Sequence, residues 1–184
     1  GGIGTATYAF GVLVRASIMA QLAWRGSMHR KISQLKDHYI ICGFGRIGRP
    51  VAERLKATGT DCVVIEGDHN ALEVARERGF LAILGNATED DVLLEAGIKR
   101  AKGIVCAVNS DADNIVIALG ARELSPDVRI IARVDEDGAT RKIRRAGADH
   151  VVSPFRTAAN DIANGIINPN VAELFRQSSR ADSG

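Results

Sequence analysis

The feature that most limits the fold is a glycine-rich turn directly after a short apolar segment. Residues 39–42 read Tyr-Ile-Ile-Cys, and Gly43, Gly45 and Gly48 follow at once. Beyond these glycines, apolar residues recur at the spacing of one helix face. The pattern predicts a buried strand, a tight turn and then a helix.

Between a strand and a helix, this glycine spacing is the fingerprint of a dinucleotide-binding turn. Gly43 permits the turn, Gly45 lets the backbone approach a pyrophosphate, and Gly48 lets the helix pack close to the strand. Phosphates bind at the N-terminus of such a helix, because its free N–H groups and its dipole favour an anion. Arg46 lies inside the turn and is predicted to pair with phosphate oxygens, since a solvated Arg at a helix start opposes the dipole.

A carboxylate follows the second predicted strand at the distance that this fingerprint expects. Residues 63–65 are apolar and Glu66 comes next, about 20 residues after the glycines, where an acid binds the ribose hydroxyls. No Arg or Lys follows closely to bind a 2′-phosphate, which favours NAD or an adenine nucleotide over NADP. The alternative is a structural strand–helix turn with a solvated Glu66.

From residue 38 onward, apolar strand-like runs alternate with helical patterns. The strand runs are continuously apolar, as is typical of strands buried on both faces. The sequence therefore predicts an α/β fold, a Rossmann-like doubly wound parallel sheet. Strands are predicted near 39–42, 62–66, 81–84, 103–108, 128–132 and 150–153. Helices are predicted near 47–58, 69–78, 89–96, 111–124, 137–146 and 156–167.

Short polar residues and glycines mark the ends of these helices. The predicted N-caps, whose side chains accept hydrogen bonds from the first turn, are Asp68, Thr88 and Ser110. The residues predicted to follow helix C-termini are Gly59, Gly79, Gly97 and Gly147.

Ligands of parallel sheets bind beyond the carboxyl ends of the strands. After the third strand, Asn86 and Thr88 are predicted either to contact adenine, ribose or phosphate, or to form a turn and an N-cap. After the fourth strand, Asn109 and Asp111 are predicted to be caps rather than ligands. Basic residues between 129 and 145 are interleaved with acids, so exposed ion pairs are predicted there.

The cysteines and histidines indicate neither a metal site nor a catalytic residue. Cys42, Cys62 and Cys106 lie in or beside apolar runs without a Cys-x-x-Cys spacing, and are predicted to be reduced core residues of a cytosolic domain. The four histidines show no metal-ligand spacing.

Charge is divided unevenly along the 184 residues. Residues 1–36 contain five basic residues and no acid, whereas the rest contains 19 basic and 22 acidic residues. This basic arm lacks the dense Lys/Arg cluster with interleaved aromatics that nucleic-acid binding requires, so no nucleic-acid partner is predicted. Residues 1–14 carry no charge, and on the residues alone two interpretations remain. The segment is either part of a transmembrane helix, with basic residues on its cytoplasmic side and Trp24 at the interface, or a docked amphipathic helix.

An apolar stripe follows the last predicted strand. Ile162 and Ile166 lie on it, after a sheet that is already complete, which favours a partner interface over packing on the outer sheet face. In addition to the doubly wound sheet, the sequence predicts an N-terminal, partly transmembrane helix and a C-terminal interface helix. The predicted segments are 1–24 (end of a transmembrane helix), 25–37 (linker), 38–154 (nucleotide-binding domain), 155–176 (interface helices) and 177–184 (disordered tail).

From Asp37 to about Phe155 the chain resembles the N-terminal lobe of the regulator-of-potassium-conductance (RCK) domain, also called the TrkA N-terminal domain. The residues that carry the resemblance are 37–48, the Val64-Ile65-Glu66 strand, Gly85-Asn86-Ala87-Thr88 and 146–154. Upstream, residues 2–14 resemble the end of the pore-lining helix of prokaryotic two-helix potassium channels, in which Gly2 or Gly4 matches a candidate gating hinge. This resemblance favours a truncated transmembrane helix over a docked amphipathic helix. The chain is therefore expected to be part of a longer protein.

The resemblance implies a ligand-gated potassium channel in the cell membrane, with residues 38–184 in the cytoplasm. Its domains are expected to form homodimers that assemble into a gating ring, and the potassium ion is expected to pass through a pore that this sequence does not contain. NAD or NADH is the expected ligand, with AMP, ADP or ATP as alternatives. The resemblance carries over the nucleotide contacts Gly43, Gly45, Arg46, Gly48, Glu66, Asn86 and Thr88.

Two other functions are weighed against the channel. A soluble regulatory subunit of a Trk or Ktr potassium uptake system usually begins close to its first strand, and the uncharged residues 1–14 argue against it. An NAD-dependent oxidoreductase needs a substrate domain and an acid–base residue beside the cofactor. His69 is the one histidine near the predicted rim and lies inside a helix start, so the chain is predicted not to be an enzyme.

Overall fold

The structure is a computed structural model that describes residues 26–167 and, before them, residues 8, 10, 12, 14 and 15. Most of the predicted transmembrane segment 1–24, with Trp24, therefore lies outside the described residues. Residues 168–176 of the predicted interface helices and the predicted tail 177–184 lie outside them as well. Within the described part of the chain, no helix combines the length and the apolar content that crossing a membrane requires.

Six parallel strands form one sheet. They are Tyr39–Cys42 (β1), Cys62–Glu66 (β2), Leu81–Leu84 (β3), Gly103–Cys106 (β4), Arg129–Arg133 (β5) and His150–Val152 (β6). The order across the sheet is β3-β2-β1-β4-β5-β6. After β3 the chain returns to the centre and continues in the opposite direction, which places the topological switch point between β1 and β4. The predicted Rossmann-like parallel sheet is confirmed.

Helices cover both faces of this sheet. They comprise residues 26–34 (α1), Gly48–Ala57 (α2), His69–Glu77 (α3), Asp90–Glu95 (α4), Asp111–Leu124 (α5) and Asp137–Arg145 (α6). A further helix, Pro154–Ile167 (α7), follows β6. A 3₁₀ turn, Ile98–Arg100, lies between α4 and β4.

Alternate residues of each strand point to opposite faces, and this divides the core into two clusters. On one face, Ile40 and Cys42 pack with residues of α1, α4, α5 and α6. On the other face, Ile41 packs with residues of α2 and α3. The strand residues in both clusters are buried and apolar, which explains why the strands read as continuous apolar runs.

Residues 26–34 are part of the core rather than a free tether. Met28 and Ile32, one helical turn apart, are both buried in the cluster that also contains Leu93 of α4. The sequence predicts residues 25–37 as a linker, and the burial of Met28 and Ile32 shows that this segment packs on the sheet. The apolar spacing of Met28, Ile32 and Leu35 is the sequence signal for it.

The predicted helix ends are mostly confirmed. Asp68 accepts a hydrogen bond from Ala71 N at 2.8 Å, and Ser110 accepts one from Asp113 N at 3.2 Å, as N-caps do. The glycines predicted to follow helix C-termini all have positive φ, from 73° to 109°. Thr88 as an N-cap is wrong, because α4 begins one residue later and Glu89 occupies the cap position without a side-chain bond.

The last helix, α7, has no buried residue. Phe155, Ile162, Ile166 and Ile167 are between 57% and 76% exposed. The apolar stripe predicted on this helix therefore does not pack on the outer face of the sheet in this single chain.

Candidate nucleotide site

The glycine turn joins β1 to α2 at the switch point of the sheet. Gly43 has a φ of 93°, which L-residues rarely adopt, and its N–H donates to Ile65 O at 2.8 Å. A Cβ built on Gly48 would lie 1.8 Å from the carbonyl oxygen of Gly43. The turn and the close packing of α2 on it therefore both require glycine, as the sequence predicts.

Gly45 differs from the other two glycines of the turn. A Cβ built on it would meet no atom within 4 Å, and its φ is not in the left-handed region. The chain itself thus gives no steric reason for glycine at this position. Open space above the backbone of Gly45 is what a bound group would use to approach the N-terminus of α2.

The start of α2 is suited to an anion. Ile47 at the N-cap makes no side-chain cap bond, and no acidic residue lies in the first turn of this helix. The first N–H groups of a helix have no intrahelical partner, and the dipole is positive there. Arg46 is exposed beside this turn and adds a full positive charge.

Glu66 connects the glycine turn with the loop that follows β3. Its Oε2 accepts a hydrogen bond from Phe44 N at 2.6 Å, and its Oε1 accepts one from Asp68 N at 2.9 Å. Its backbone carbonyl accepts from Gly85 N at 3.1 Å. The carboxylate is half-buried and directed toward the turn, so the structure brings Glu66 and the glycines together.

Asn86 and Thr88 are bonded to each other in the loop after β3. The Oδ1 atom of Asn86 accepts from Thr88 N at 3.0 Å and from the Thr88 hydroxyl at 2.8 Å. This is the predicted turn, without the predicted cap. The Asn86 side chain keeps two amide hydrogens for a ligand, because its oxygen alone is used in these bonds.

An aromatic pair supports the turn from below. Phe44, which lies between Gly43 and Gly45 in the sequence, is buried. Its ring packs edge-to-face on Phe80, with ring centroids 5.4 Å apart. Lys56 of α2 lies 4.8 Å from the centre of the Phe80 ring. The backbone N–H that Glu66 binds thus belongs to a residue whose side chain is fixed in the core.

A crevice lies at the switch point, with the glycine turn on one side and the ends of β4 and β5 as its opposite wall. This wall is organised by Asn114, which no motif of the sequence indicates. This residue is fully buried; its Nδ2 donates to Val108 O and Arg133 O, and its Oδ1 accepts from Val108 N. Gly43 packs against this wall, since a Cβ on it would lie 3.1 Å from Ala107 O. The sequence signal for this role is a polar Asn within the apolar stripe of a predicted helix, because a buried polar side chain needs hydrogen-bond partners.

Two predictions about this wall are wrong. Asn109 and Asp111 are not helix caps: Asn109 accepts from the guanidinium of Arg133 at 3.1 Å, and Asp111 accepts from the backbone N–H of Asp135 at 2.9 Å. Arg133, for which an exposed ion pair is predicted, is paired with Asp135 but is only 5% exposed. These bonds tie the ends of β4 and β5 together.

Arg129 is exposed on β5, and the basic residues from 141 to 145 are exposed on α6. Arg156 pairs with Asp137 at 3.1 Å. A cavity of about 570 Å³ lies there, between α6 and α7 and away from the crevice. The arginines that line it are Arg141, Arg144, Arg145 and Arg156.

The cysteines are buried and free, as predicted. Burial raises the pKa of Cys62 to about 11 and that of Cys106 to about 12, and it raises the pKa of Cys42 as well. These thiols therefore stay protonated at neutral pH and are poor nucleophiles. Among the residues that the structure describes, no cluster of His, Cys, Asp and Glu could hold a metal ion.

Fold and site together define a Rossmann-like α/β domain with a glycine turn and an acidic strand end at its switch point. The chain belongs to the TrkA-N domain family, which residues 39–154 match. The resemblance of residues 37–155 to the TrkA N-terminal domain is thereby confirmed.

Relatives of this chain act in potassium transport. It is 39% identical over 150 residues to potassium channel protein 1 of Methanocaldococcus jannaschii, a match that covers 80% of this chain and 45% of the relative. It is 36% identical over 139 residues to a Trk system potassium uptake protein TrkA homolog of Methanothermobacter thermautotrophicus, covering 75% and 64%. The chain thus spans about half the length of the channel relative.

Solved structures share the fold. The TrkA-N domain of the inner membrane protein ybaL from Escherichia coli has a TM-score of 0.68 and 31% identity, covering 71% of this chain and 97% of that one. The GsuK channel bound to NAD has a TM-score of 0.60 and 29% identity, covering 65% and 22%. GsuK bound to ADP has a TM-score of 0.59 and 30% identity, covering 65% and 32%.

Proposed function

We propose that this chain is the cytosolic nucleotide-sensing domain of a ligand-gated potassium channel. The observation that carries the proposal is the contact between the Glu66 carboxylate and the glycine turn, 2.6 Å from Glu66 Oε2 to Phe44 N. This contact supports the proposal, because a carboxylate beside a helix N-terminus can accept from ribose hydroxyls while the helix binds phosphate. The potassium channel relative and the nucleotide-bound GsuK structures support the same function.

Each predicted contact has a separate task in this proposal. The backbone of Gly43, Gly45 and Gly48 forms the turn that the pyrophosphate approaches, and Arg46 neutralises phosphate charge. Glu66 accepts from the ribose hydroxyls, since a carboxylate has more acceptor positions than the two that Phe44 and Asp68 occupy. The second loop contributes the side chains Asn86 and Thr88.

The ligand is an adenine nucleotide, with NAD or NADH as the first candidates and AMP, ADP or ATP as alternatives. GsuK structures bound to NAD and to ADP support both groups. Within the described residues, no Lys or Arg lies close behind Glu66 on the chain to bind a 2′-phosphate. NADP is therefore expected to bind more weakly than NAD.

The proposed mechanism is differential binding. A nucleotide that prefers one arrangement of the domains shifts the equilibrium toward it, whereas equal affinity for both arrangements shifts nothing. The exposed apolar side chains of α7 are the proposed homodimer contact, and dimers assemble into a gating ring beneath the membrane. Residues 38–184 lie in the cytoplasm, the pore belongs to the full-length protein, and the domain binds its ligand without converting it.

A regulatory subunit of a Trk or Ktr potassium uptake system is the second candidate. It is favoured by the TrkA homolog of Methanothermobacter thermautotrophicus, of which this chain covers 64%. Both candidates require the same nucleotide site. They differ in whether residues 1–24 belong to a pore-lining helix, which potassium flux through liposomes containing the full-length protein decides.

The test of the site is calorimetric titration of the whole chain with NAD, NADH, AMP, ADP and ATP. We expect at least one of them to bind, and Glu66→Gln to weaken that binding by about tenfold or more, since hydrogen bonds to a charged group contribute about 1.5–3 kcal/mol. Glu77→Gln, an exposed acid in the last turn of α3, is the matched control and leaves affinity unchanged. No binding by any nucleotide, or equal affinity in Glu66→Gln, contradicts the proposal.

A further inference from the structure

The C-terminus of α1 is held by a side chain from a distant part of the chain. Arg100 donates from Nη2 to Ile32 O at 3.3 Å and from Nε to Leu35 O at 3.2 Å. In return, Asp37 N donates to the backbone carbonyl of Arg100 at 2.9 Å. We call this set, Ile32, Leu35, Asp37 and Arg100, the α1 clasp.

The chemistry of the clasp suits a helix end. The last carbonyl groups of a helix have no partner within the helix, and the dipole is negative there. A guanidinium presents several N–H donors in a fixed fork and a permanent positive charge, so it can bind two carbonyls and complement the dipole at once. Asp37 has a φ of 55°, which turns the chain sharply from α1 into β1.

Arg100 is itself held in place by its surroundings. It ends the 3₁₀ turn that follows Gly97, and a Cβ on Gly97 would lie 2.7 Å from Arg100 Nη2. The neighbouring His38 is fully buried and bonds Ala96 O through Nε2 at 2.9 Å. The clasp thus rests on a fixed backbone at the C-terminal end of α4.

The other end of α4 lies at the candidate nucleotide site. The loop containing Asn86 and Thr88 leads directly into α4, and the helix is six residues long, or about 9 Å. Ala87 of that loop, Leu93 of α4 and Ile98 of the 3₁₀ turn are buried in the same cluster as Met28 and Ile32 of α1. One short segment, anchored in the core at Ala87, Leu93 and Ile98, therefore joins the nucleotide rim to α1.

We propose that Arg100 is the positioning residue that couples the segment 86–97 to α1, so that a ligand at the rim changes the position of α1. This inference rests on the proposed function, and it adds the route and the residue by which binding reaches α1. Arg100 does not touch the nucleotide; it acts by fixing α1 to the end of α4.

The clasp is tested first without any ligand, by electron–electron distance measurements on the whole chain. Nitroxide labels are placed at Lys31→Cys on α1 and Glu123→Cys on α5, both exposed positions. The native cysteines are buried with raised pKa values, so they react poorly with the label. An excess of unlabelled chain restricts the signal to distances within one molecule.

We expect a narrow distance distribution in the parent protein and one at least twice as broad in Arg100→Ala. Arg100→Lys keeps the positive charge without the forked guanidinium, and the width of its distance distribution is expected to lie between those of the parent and Arg100→Ala. Arg144→Ala, an exposed arginine of α6, is the control and leaves the width unchanged. Because Arg100 is exposed, its replacement leaves the core intact, which thermal unfolding verifies. Equal widths in Arg100→Ala and the parent overturn the clasp.

The coupling is then tested by adding saturating NAD or ADP to the same labelled proteins. The parent is expected to shift its mean distance, whereas Arg100→Ala binds with an affinity within twofold by calorimetry and shows no shift. An equal shift in Arg100→Ala, or binding without a shift in the parent, overturns the coupling. If none of NAD, NADH, AMP, ADP and ATP binds the parent protein, the proposed function is overturned instead. The widths measured without ligand still decide whether the clasp exists.

Discussion

The side chain of Asn114 forms two hydrogen bonds with the backbone of Val108, one as donor and one as acceptor. The Asn114 side chain donates to Val108 O at 3.0 Å and accepts from Val108 N at 3.1 Å, and it also donates to Arg133 O at 3.2 Å. A buried amide therefore holds the ends of β4 and β5, which form one wall of the crevice at the switch point.

Replacing this amide should destabilise the fold. Asn114→Ala leaves a backbone N–H and two carbonyls in the interior without their partner, and each unsatisfied group costs about 1–3 kcal/mol. We expect the free energy of unfolding, measured by urea titration, to fall by about 2 kcal/mol or more. The control is Asn70→Ala on the exposed face of α3, with a change within about 0.5 kcal/mol. A loss for Asn114→Ala no larger than that of the control would show that the wall is held by other contacts.

The first three strands were predictable from the sequence to the residue, because apolar runs bounded by glycine and polar residues leave little freedom. The fourth was predicted to reach Val108 but ends at Cys106. Ala107 and Val108 are apolar, yet Asn114 binds the backbone of Val108 and removes it from the ladder. Apolar character alone does not reveal such a side-chain bond from the following helix.

The candidate site was predictable in its local parts and not in its long-range parts. The glycine turn and Glu66 follow from spacing along one strand–turn–helix unit. Arg133 looked like one of several surface arginines, because its partner Asn109, which precedes it by 24 positions, meets it only when β4 and β5 pair. The bonds of Arg100 to α1 span more than 60 positions of the chain and were equally out of reach.

Two glycines of the turn should respond to alanine in opposite ways. A methyl group at Gly48 would lie 1.8 Å from Gly43 O, so Gly48→Ala forces a backbone shift and is expected to cost about 2 kcal/mol or more of unfolding free energy. At Gly45 the space is open and φ is unstrained, so Gly45→Ala should leave stability unchanged or slightly higher. Its methyl group enters the space assigned to the pyrophosphate, and nucleotide affinity is expected to fall at least tenfold. Calorimetry and urea titration of both variants separate the two effects; full affinity in Gly45→Ala refutes the approach of phosphate at this point.

Stability should decline in mild acid because of His38. Burial lowers the pKa of this histidine below its usual value of 6.5, and Arg100 lowers it further, against the opposing effects of the Ala96 carbonyl, Asp61 and Asp37. The carbonyl of Ala96 only accepts, so Nε2 carries the proton, while Nδ1 is buried without a partner in the described structure. At a pH between the lowered pKa of folded His38 and 6.5, the unfolded chain binds more protons than the folded chain. The free energy of unfolding is therefore at its full value above pH 6.5 and decreases as the pH falls through this window.

The measurement for His38 is urea unfolding at about pH 7.5 and about pH 5.5. In His38→Gln, whose amide can still donate to Ala96 O, the difference in unfolding free energy between the two conditions is expected to shrink. His150→Gln, at the exposed start of β6, is the control for the other histidines. An unchanged pH dependence in His38→Gln would exclude this residue as the cause.

The apolar face of α7 should determine whether the chain is a dimer. Ile162 and Ile166 are 67% and 76% exposed and lie one turn apart on the same face, so water contacts them in a single chain and a partner would remove that contact. An aspartate at both positions places charge in the proposed interface, where it would be desolvated without a partner. We therefore expect the chain to sediment as a dimer and Ile162→Asp/Ile166→Asp as a monomer, with an unchanged circular dichroism spectrum because neither side chain belongs to the core. Asn164→Asp, on the opposite face of α7, adds charge without entering the stripe and is expected to leave the dimer intact. If the double variant remains dimeric, the contact lies on another surface and the stripe of α7 needs a different partner.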